Sequence, residues 1–336
     1  VTWQKVHAVD GGTIAGPILR LQNQSNTRSG EGIVEAGDLL VRELEVPGTS
    51  VRIAAGACNI VGREVSWQGT YYGYNIGEDT VAITATDSGG GRSDLVVARA
   101  EDPTISGSPW GHDPATDTLI YTRVIAGVDP GTTELPPGEG SAIVLARIDI
   151  PVSTATITQD MITDLRQMAQ PRRERILRVQ DGGVHDGTEW DRAGNITDNY
   201  ERWPQGDWVA TIPSWATQLQ VLAAWNNVFL EPTGGTDGTD DARGTVKIFI
   251  TDGTNSIETS PSAYNKNQVS GTNGYRTDLS NADQIDVPEA LRGVTVDIRM
   301  YAKGTSGQDG RLVADDFAVF HVDVEALELP APEATV

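Results

Sequence analysis

Cysteine, lysine, long apolar runs and a leader-like opening are scarce or missing in these 336 residues, and each shortage excludes something. The one cysteine, Cys58, cannot close an internal disulfide, and with four scattered histidines it offers no ready zinc ligand set. No apolar run approaches the roughly 18 residues that a spanning helix needs, so membrane insertion is not expected. The opening Val1-Thr2-Trp3-Gln4-Lys5 lacks a charged-then-apolar segment, so export is not expected either. Positive charge is short as well: 25 Lys and Arg stand against 47 Asp and Glu, a net charge of −22. A surface that acidic repels a phosphate backbone, which argues against nucleic acid as a partner.

What is present favours strands. The hydrophobic fraction of 38% reaches an ordinary globular value once the 37 glycines are added, so the chain is not expected to be disordered. Val, Ile and Thr outnumber Leu, and β-branched side chains pack better on a pleated sheet than in a helix. The glycines suit many short strands joined by turns. At roughly 100–200 residues per domain, the length suggests two domains.

The periodicity adds detail. Val51, Ile53, Ala55 and Ala57 are spaced to share one face of a strand, with Arg52 on the other. Val81, Ile83 and Ala85 repeat the pattern, and Ala142 to Ala146 is apolar enough for a strand covered on both sides. One segment breaks the rhythm: Met161, Ile162, Leu165 and Met168 form a helical stripe that Thr158 could cap and Pro171 could end. Alternation resumes at Trp208 to Ile212, Leu219 to Leu230, Val246 to Ile250, Val294 to Ile298 and Phe317 to Val324. The expected fold is therefore all-β with one short helix. An N-terminal β module, residues 1–170, is closed by a helix over 158–169. A connector (171–199), a C-terminal antiparallel β-sandwich of jelly-roll-like kind (200–328) and a flexible tail (329–336) follow.

An ordered series of segments carries a resemblance. It begins with Ser50-Val51-Arg52-Ile53, Ala55-Gly56, Tyr72, Val81 and Asp94-Leu95-Val96-Val97-Ala98-Arg99. Ala126-Gly127 and Glu134-Leu135-Pro136-Pro137-Gly138 come next. Ile143 to Ile148, Ile157-Thr158 and Ile162-Thr163-Asp164-Leu165-Arg166 complete it. Over roughly residues 30–170 the chain resembles a module of minor tail and baseplate proteins of long-tailed bacteriophages, especially those of actinobacteria. The resemblance implies a structural virion component of the tail tip, assembled in the host cytoplasm. It also implies other tail and baseplate proteins as partners, a homotrimer, and a distal domain turned towards the host. It implies no catalysis and no cofactor.

The candidate sites are few. Asp164 and Arg166, and the arginine cluster Arg172, Arg173, Arg175 and Arg178, could dock onto a neighbouring subunit. The first pair reads rather as fixing the helix, against a solvated helix face of small energetic value, and the cluster could equally be a solvated extension of the helix or linker. No aromatic platform is interleaved with the arginines, so nucleic acid fits them poorly. Five of the eight tryptophans, Trp190, Trp203, Trp208, Trp215 and Trp225, fall within 36 residues. Trp225 sits in an apolar run and reads as core, whereas Trp203 and Trp215 lie beside prolines and are the candidates for a host-glycan platform. Calcium could bind at Asp237, Asp240 and Asp241 or at Asp181, Asp186, Glu189 and Asp191, but neither stretch has helix-flanked calcium-loop spacing. His185 beside Asp186 reads as an idle loop histidine and Cys58 as a small buried residue. No nucleophile elbow, zinc-helix motif or phosphate loop occurs, so no enzyme is expected, although a two-carboxylate glycosidase is defined by spatial separation and leaves no sequence trace. The readings that remain are a tail-tip structural protein without catalysis, a host-surface carbohydrate-binding adhesin, and a glycan-degrading tail enzyme.

Overall fold

The computed structural model describes residues 15–106, 113, 115–181, 199–232, 239–269, 273–305 and 310–331. The chain divides into two compact units: Val1–Pro171 with Leu329–Thr335, and Arg172–Glu328.

The first described element of the first unit is a helix, α1 (Gly16–Thr27), started by Pro17 near its N-terminus and ended by Arg28 in a left-handed conformation. Ten strands follow: β1 (Gly32–Ile33), β2 (Val41–Glu43), β3 (Ser50–Ile53), β4 (Gly56–Val61), β5 (Thr70–Asn75), β6 (Asp79–Ala82), β7 (Arg92–Ala100), β8 (Ile120–Val128), β9 (Ala142–Ile150) and β10 (Ile162–Asp164). They pair as three antiparallel sheets ordered β1-β4-β5, β2-β3-β6 and β10-β9-β7-β8. A single turn, α2 (Pro103–Ser106), follows β7.

Strand β7 is central and buried on both faces. Val96, Ala98 and Ala100 join the main core with Ile33, Val51, Ile53, Leu145 and Ile148. Leu95 and Val97 meet Ile125 and Ala142 in a smaller cluster on the opposite side. The expected doubly covered strand at 142–146 lies in β9, where most residues are buried. Val51 and Ile53 share the inner face of β3, but the strand expected to continue to Ala57 is interrupted. Gly56 turns the chain into a different sheet at φ 155°, where an added Cβ would sit 2.6 Å from the Asp38 Cα.

The helix expected over 158–169 is not formed. Thr158 is extended, Gln159–Met161 makes one 3₁₀ turn, and Ile162–Asp164 is β10, paired with β9. The apolar stripe is used in alternation instead: Met161, Ile162 and Met168 pack on the main core, whereas Leu165 packs on the smaller cluster. β-branched Ile162 and Thr163 suit that extended course. Among the described residues the module's one long helix is α1.

The second unit holds β11 (Arg173–Asp181), β12 (Glu201–Thr211), β13 (Gln218–Pro232), β14 (Thr239–Thr251), β15 (Ser256–Glu258), β16 (Ser262–Val269), β17 (Tyr275–Asp286), β18 (Thr295–Gly304), β19 (Gly310–Val313) and β20 (Val319–Leu327). One sheet runs β11-β20-β13-β17, with β19 on β13; the other runs β12-β18-β14-β15, with β16 on β14. All pairs are antiparallel, and from β11 to β14 each successive strand crosses to the other sheet. That order is the jelly roll, built of two Greek keys. Alternation is clean on β18 and β20, whose inner residues Val296, Ile298, Met300, Phe320, Val322 and Val324 share one core with Trp203 and Trp225.

Two boundaries differ from expectation. The connector expected at 171–199 begins as β11, an edge strand paired over nine residues with β20. Of the tail expected to be flexible, the described residues 329–331 are fixed to the first unit, where the Ala331 N–H donates to the Ala36 carbonyl at 3.2 Å.

Candidate functional site

The sequence-derived docking pair, Asp164 and Arg166, is used up inside the first unit. The Arg166 side chain has no exposed surface and forks onto the Asp164 carboxylate, with its Nη2 2.7 Å from Oδ2. Its remaining donors reach the carbonyls of Ala36 (3.1 Å), Asp38 (2.7 Å) and Ala331 (3.0 Å). A guanidinium so enclosed ties three chain segments together and cannot dock a neighbour.

The arginine cluster is partnered as well. Arg172 pairs with the buried Glu328 carboxylate and lies over the Trp215 ring, 5.3 Å from its centroid. Arg175 is 2.5 Å from Asp323, and Arg173 is 3.9 Å from Glu325. Arg178 donates to the Leu177 carbonyl. Arg173 and Arg175 pair with the acids Glu325 and Asp323 of β20 and put charge on a sheet edge, a device that discourages edge-to-edge pairing. The structure thus gives the cluster intramolecular partners, where the sequence left it between docking onto a neighbouring subunit and a solvated extension.

The glycan platform fails at Trp203. That ring is 1% exposed, meets Phe320 edge-on at 6.0 Å, and its carbonyl accepts the indole N–H of Trp225 at 2.7 Å. Trp215 is half-buried beneath Arg172. Trp208 and Trp225 are core, the latter as expected. Trp190, His185, Asp186, Glu189, Asp191 and Asp237 lie outside the described residues, as do the side chains of Asp181 and Asp240. Asp241 pairs with Arg243 at 2.6 Å, and no group of three metal-ligating side chains occurs among the described residues. Cys58 is buried as expected, and burial, with Asp38 nearby, pushes its thiol up to about 12.

The polar chemistry is concentrated elsewhere, where α1 meets β5 and the end of β7. Helix α1 is attached through hydrogen bonds: Arg20 donates to the Gln68 carbonyl at 2.8 Å, and Asn23 donates to Asn59 and to the Thr70 carbonyl at 3.1 Å. Gly69, at φ 79°, permits the approach, since an added Cβ would lie 2.6 Å from the Arg20 carbonyl carbon. Asp102 accepts from the Tyr71 hydroxyl at 2.9 Å, pairs with Arg20 at 3.1 Å and takes both the hydroxyl and the N–H of Thr104. Glu101 pairs with Arg99 at 2.8 Å and accepts from the Tyr121 hydroxyl at 2.7 Å, both through Oε1.

Several buried polar atoms here are left over, Thr70 Oγ1 among them. Glu101 Oε2 and Arg20 Nη2 are buried without a hydrogen-bond partner, an arrangement that costs about 1–3 kcal/mol for each such group. Both residues line an open cleft of about 470 Å³, together with Leu19, Tyr72, Thr104 and Ile120. Tyr72 and Tyr74 stand outward beside it, 56% and 67% exposed, with ring centroids 6.2 Å apart. Sequence reasoning passed over this region because Tyr71-Tyr72-Gly73-Tyr74 reads as an ordinary strand and α1 has no inward apolar stripe.

Burial pushes the Asp102 carboxyl up, but the hydrogen bonds from Thr104 and Tyr71 and the Arg20 charge outweigh it and hold the group below the ordinary carboxylate range. A depressed folded value stabilises the fold fully above the unfolded value, about 4, and loses that support as pH falls through the folded one. Thermal melts of the first unit from pH 7 to pH 2 should therefore show acid destabilisation that is shallower in Asp102→Asn. An equally steep decline in the variant would remove Asp102 from the acid response.

No family model and no curated protein matches this chain. Solved structures that align with it include the infectious bursal disease virus Gx strain, at 15% identity over 90% of this chain and 76% of the other, TM-score 0.21. Another is the infectious bursal disease virus VP2 subviral particle, at 14% identity over 89% and 78%, TM-score 0.23. A third is the CBM22-1-CBM22-2 tandem domain of Paenibacillus barcinonensis Xyn10C, at 10% identity over 88% and 99%, TM-score 0.19. At such scores the alignments span the chain without superposing it, and the fold rests on the strand order described above.

Proposed function

We propose that the chain is a structural component of a phage tail tip, a minor tail or baseplate protein that acts without catalysis. In this reading the first unit attaches to other tail or baseplate proteins, and the jelly roll is the distal, host-facing domain. The protein is placed in the virion tail after assembly in the host cytoplasm, as a homotrimer.

One observation carries the reading: polar residues of the motif series are engaged in holding the fold. Asp94, fully buried, binds Arg92 through both oxygens and accepts the Gly127 N–H at 2.9 Å, joining two segments of that series. Asp164 and Arg166 close the same module, and 95–98, 143–148 and 162–164 lie on three adjacent strands. A framework whose charged residues are engaged internally suits a load-transmitting part better than a reaction centre.

Light scattering on the full-length protein tests the assembly: three chains of 35.9 kDa are expected to travel together. A monomer at every concentration would remove the trimer. Antibodies against the chain should decorate the tail tip of intact virions in electron micrographs, and labelling confined to the capsid would overturn the placement. The second reading, an adhesin for host-surface carbohydrate, is favoured by the tyrosine-flanked cleft.

A further inference from the structure

We infer that the cleft beside α1 binds a neutral sugar, one six-membered polyhydroxylated ring resting against Tyr72. The inference goes beyond the assembly proposal and does not rest on it.

Three features select that chemistry. The first is the pair of unsatisfied atoms. Glu101, 6% exposed, keeps Oε2 without a donor, and Arg20 keeps Nη2 without an acceptor, both in residues lining one cleft. An apolar ligand would leave both unpaired. A hydroxyl both donates and accepts, so neighbouring hydroxyls on one ring can satisfy a carboxylate oxygen and a guanidinium nitrogen together.

The second feature is charge balance. Glu101 is paired with Arg99 and Asp102 with Arg20, so the cleft does not call for a cation or an anion. A charged ligand would meet an opposite charge already engaged and a like charge beside it. The third is the wall: Tyr72 lines the cleft, and Tyr74 extends the aromatic surface with its ring plane tilted 38° to that of Tyr72. Exposed aromatic faces take the C–H face of a pyranose while its hydroxyls reach the polar floor. A volume of about 470 Å³ lies within the usual range of small-molecule clefts and admits one such ring with room to spare. Tyr72 and Tyr74 are separated by one residue on β5, so both project from the same face of the strand.

Saturation-transfer difference NMR on the full-length chain tests this with four probes: D-glucose, D-galactose, D-mannose and N-acetyl-D-glucosamine. At least one should receive saturation on its ring protons. That signal should vanish in Tyr72→Ala, an exposed substitution expected to leave the melting temperature unchanged. It should also vanish in Glu101→Gln, which replaces the unpaired acceptor, and persist in Trp215→Ala. If Glu101→Gln fails to fold, Tyr72→Ala decides alone. Absence of transfer to all four sugars, survival of the signal in Tyr72→Ala or in folded Glu101→Gln, or its loss in Trp215→Ala would each overturn the assignment.

Discussion

Replacing Arg166 with alanine is expected to destabilise the first unit by about 3–5 kcal/mol, because an enclosed guanidinium and its hydrogen bonds to a carboxylate and three carbonyls are lost together. The Asp164 carboxylate would lose its fork, and the carbonyls of Ala36, Asp38 and Ala331 would lose their donors at one stroke. For a unit of this size that corresponds to a melting temperature lower by roughly 6–20 °C. Lysine should not rescue it, because a single ammonium cannot reach a carboxylate and three carbonyls in a planar fork. Differential scanning calorimetry of the full-length chain checks this: the transition of the first unit should move while that of the jelly roll stays. Equal movement of both, or a shift below about 2 °C, would deny Arg166 its bracing role.

The second large effect belongs to Trp203. Truncation to alanine should cost the jelly roll about 3–5 kcal/mol, because the ring is enclosed against Phe320 and lies next to Trp225. Trp203→Phe should cost much less, since it retains most of the packed area and removes an indole N–H that has no partner. Trp215→Ala, at a half-buried site under Arg172, should also fall well below Trp203→Ala. If Trp203→Ala melts like the native protein yet abolishes sugar binding, the tryptophan is a surface platform after all. Urea unfolding followed by tryptophan emission separates these outcomes.

The contrast between the two tryptophans shows what the sequence could and could not convey. Trp203 and Trp215 both lie near prolines and look alike in one dimension, yet one is enclosed in the core and the other packs half-buried against it beneath Arg172. Burial there is decided by strand order, which no local pattern encodes. The jelly roll was legible because period-two alternation survives on β18 and β20. The helix expected at 158–169 failed because residues spaced three and four apart can also be divided between two clusters on opposite sides of a sheet. Helix α1 went unread for the complementary reason: it is held by Arg20 and Asn23 against backbone carbonyls, and hydrophobic periodicity carries no record of that. The cleft was invisible on the same grounds, since Arg20, Tyr72 and Glu101 are far apart in sequence.

The return of the chain to the first unit after Glu328 has a consequence for how such proteins diversify. Arg172 and Glu328, the first and last residues of the jelly roll, are hydrogen-bonded to each other, with the Glu328 N–H 3.1 Å from the Arg172 carbonyl. The sandwich is thus an insertion whose two ends meet. Recombination at Pro171 and Leu329 could exchange it for another fold with adjacent termini, and the host module would keep the Ala331 strap that Arg166 grips. A single genetic step can accordingly exchange the inserted sandwich while leaving the first unit intact.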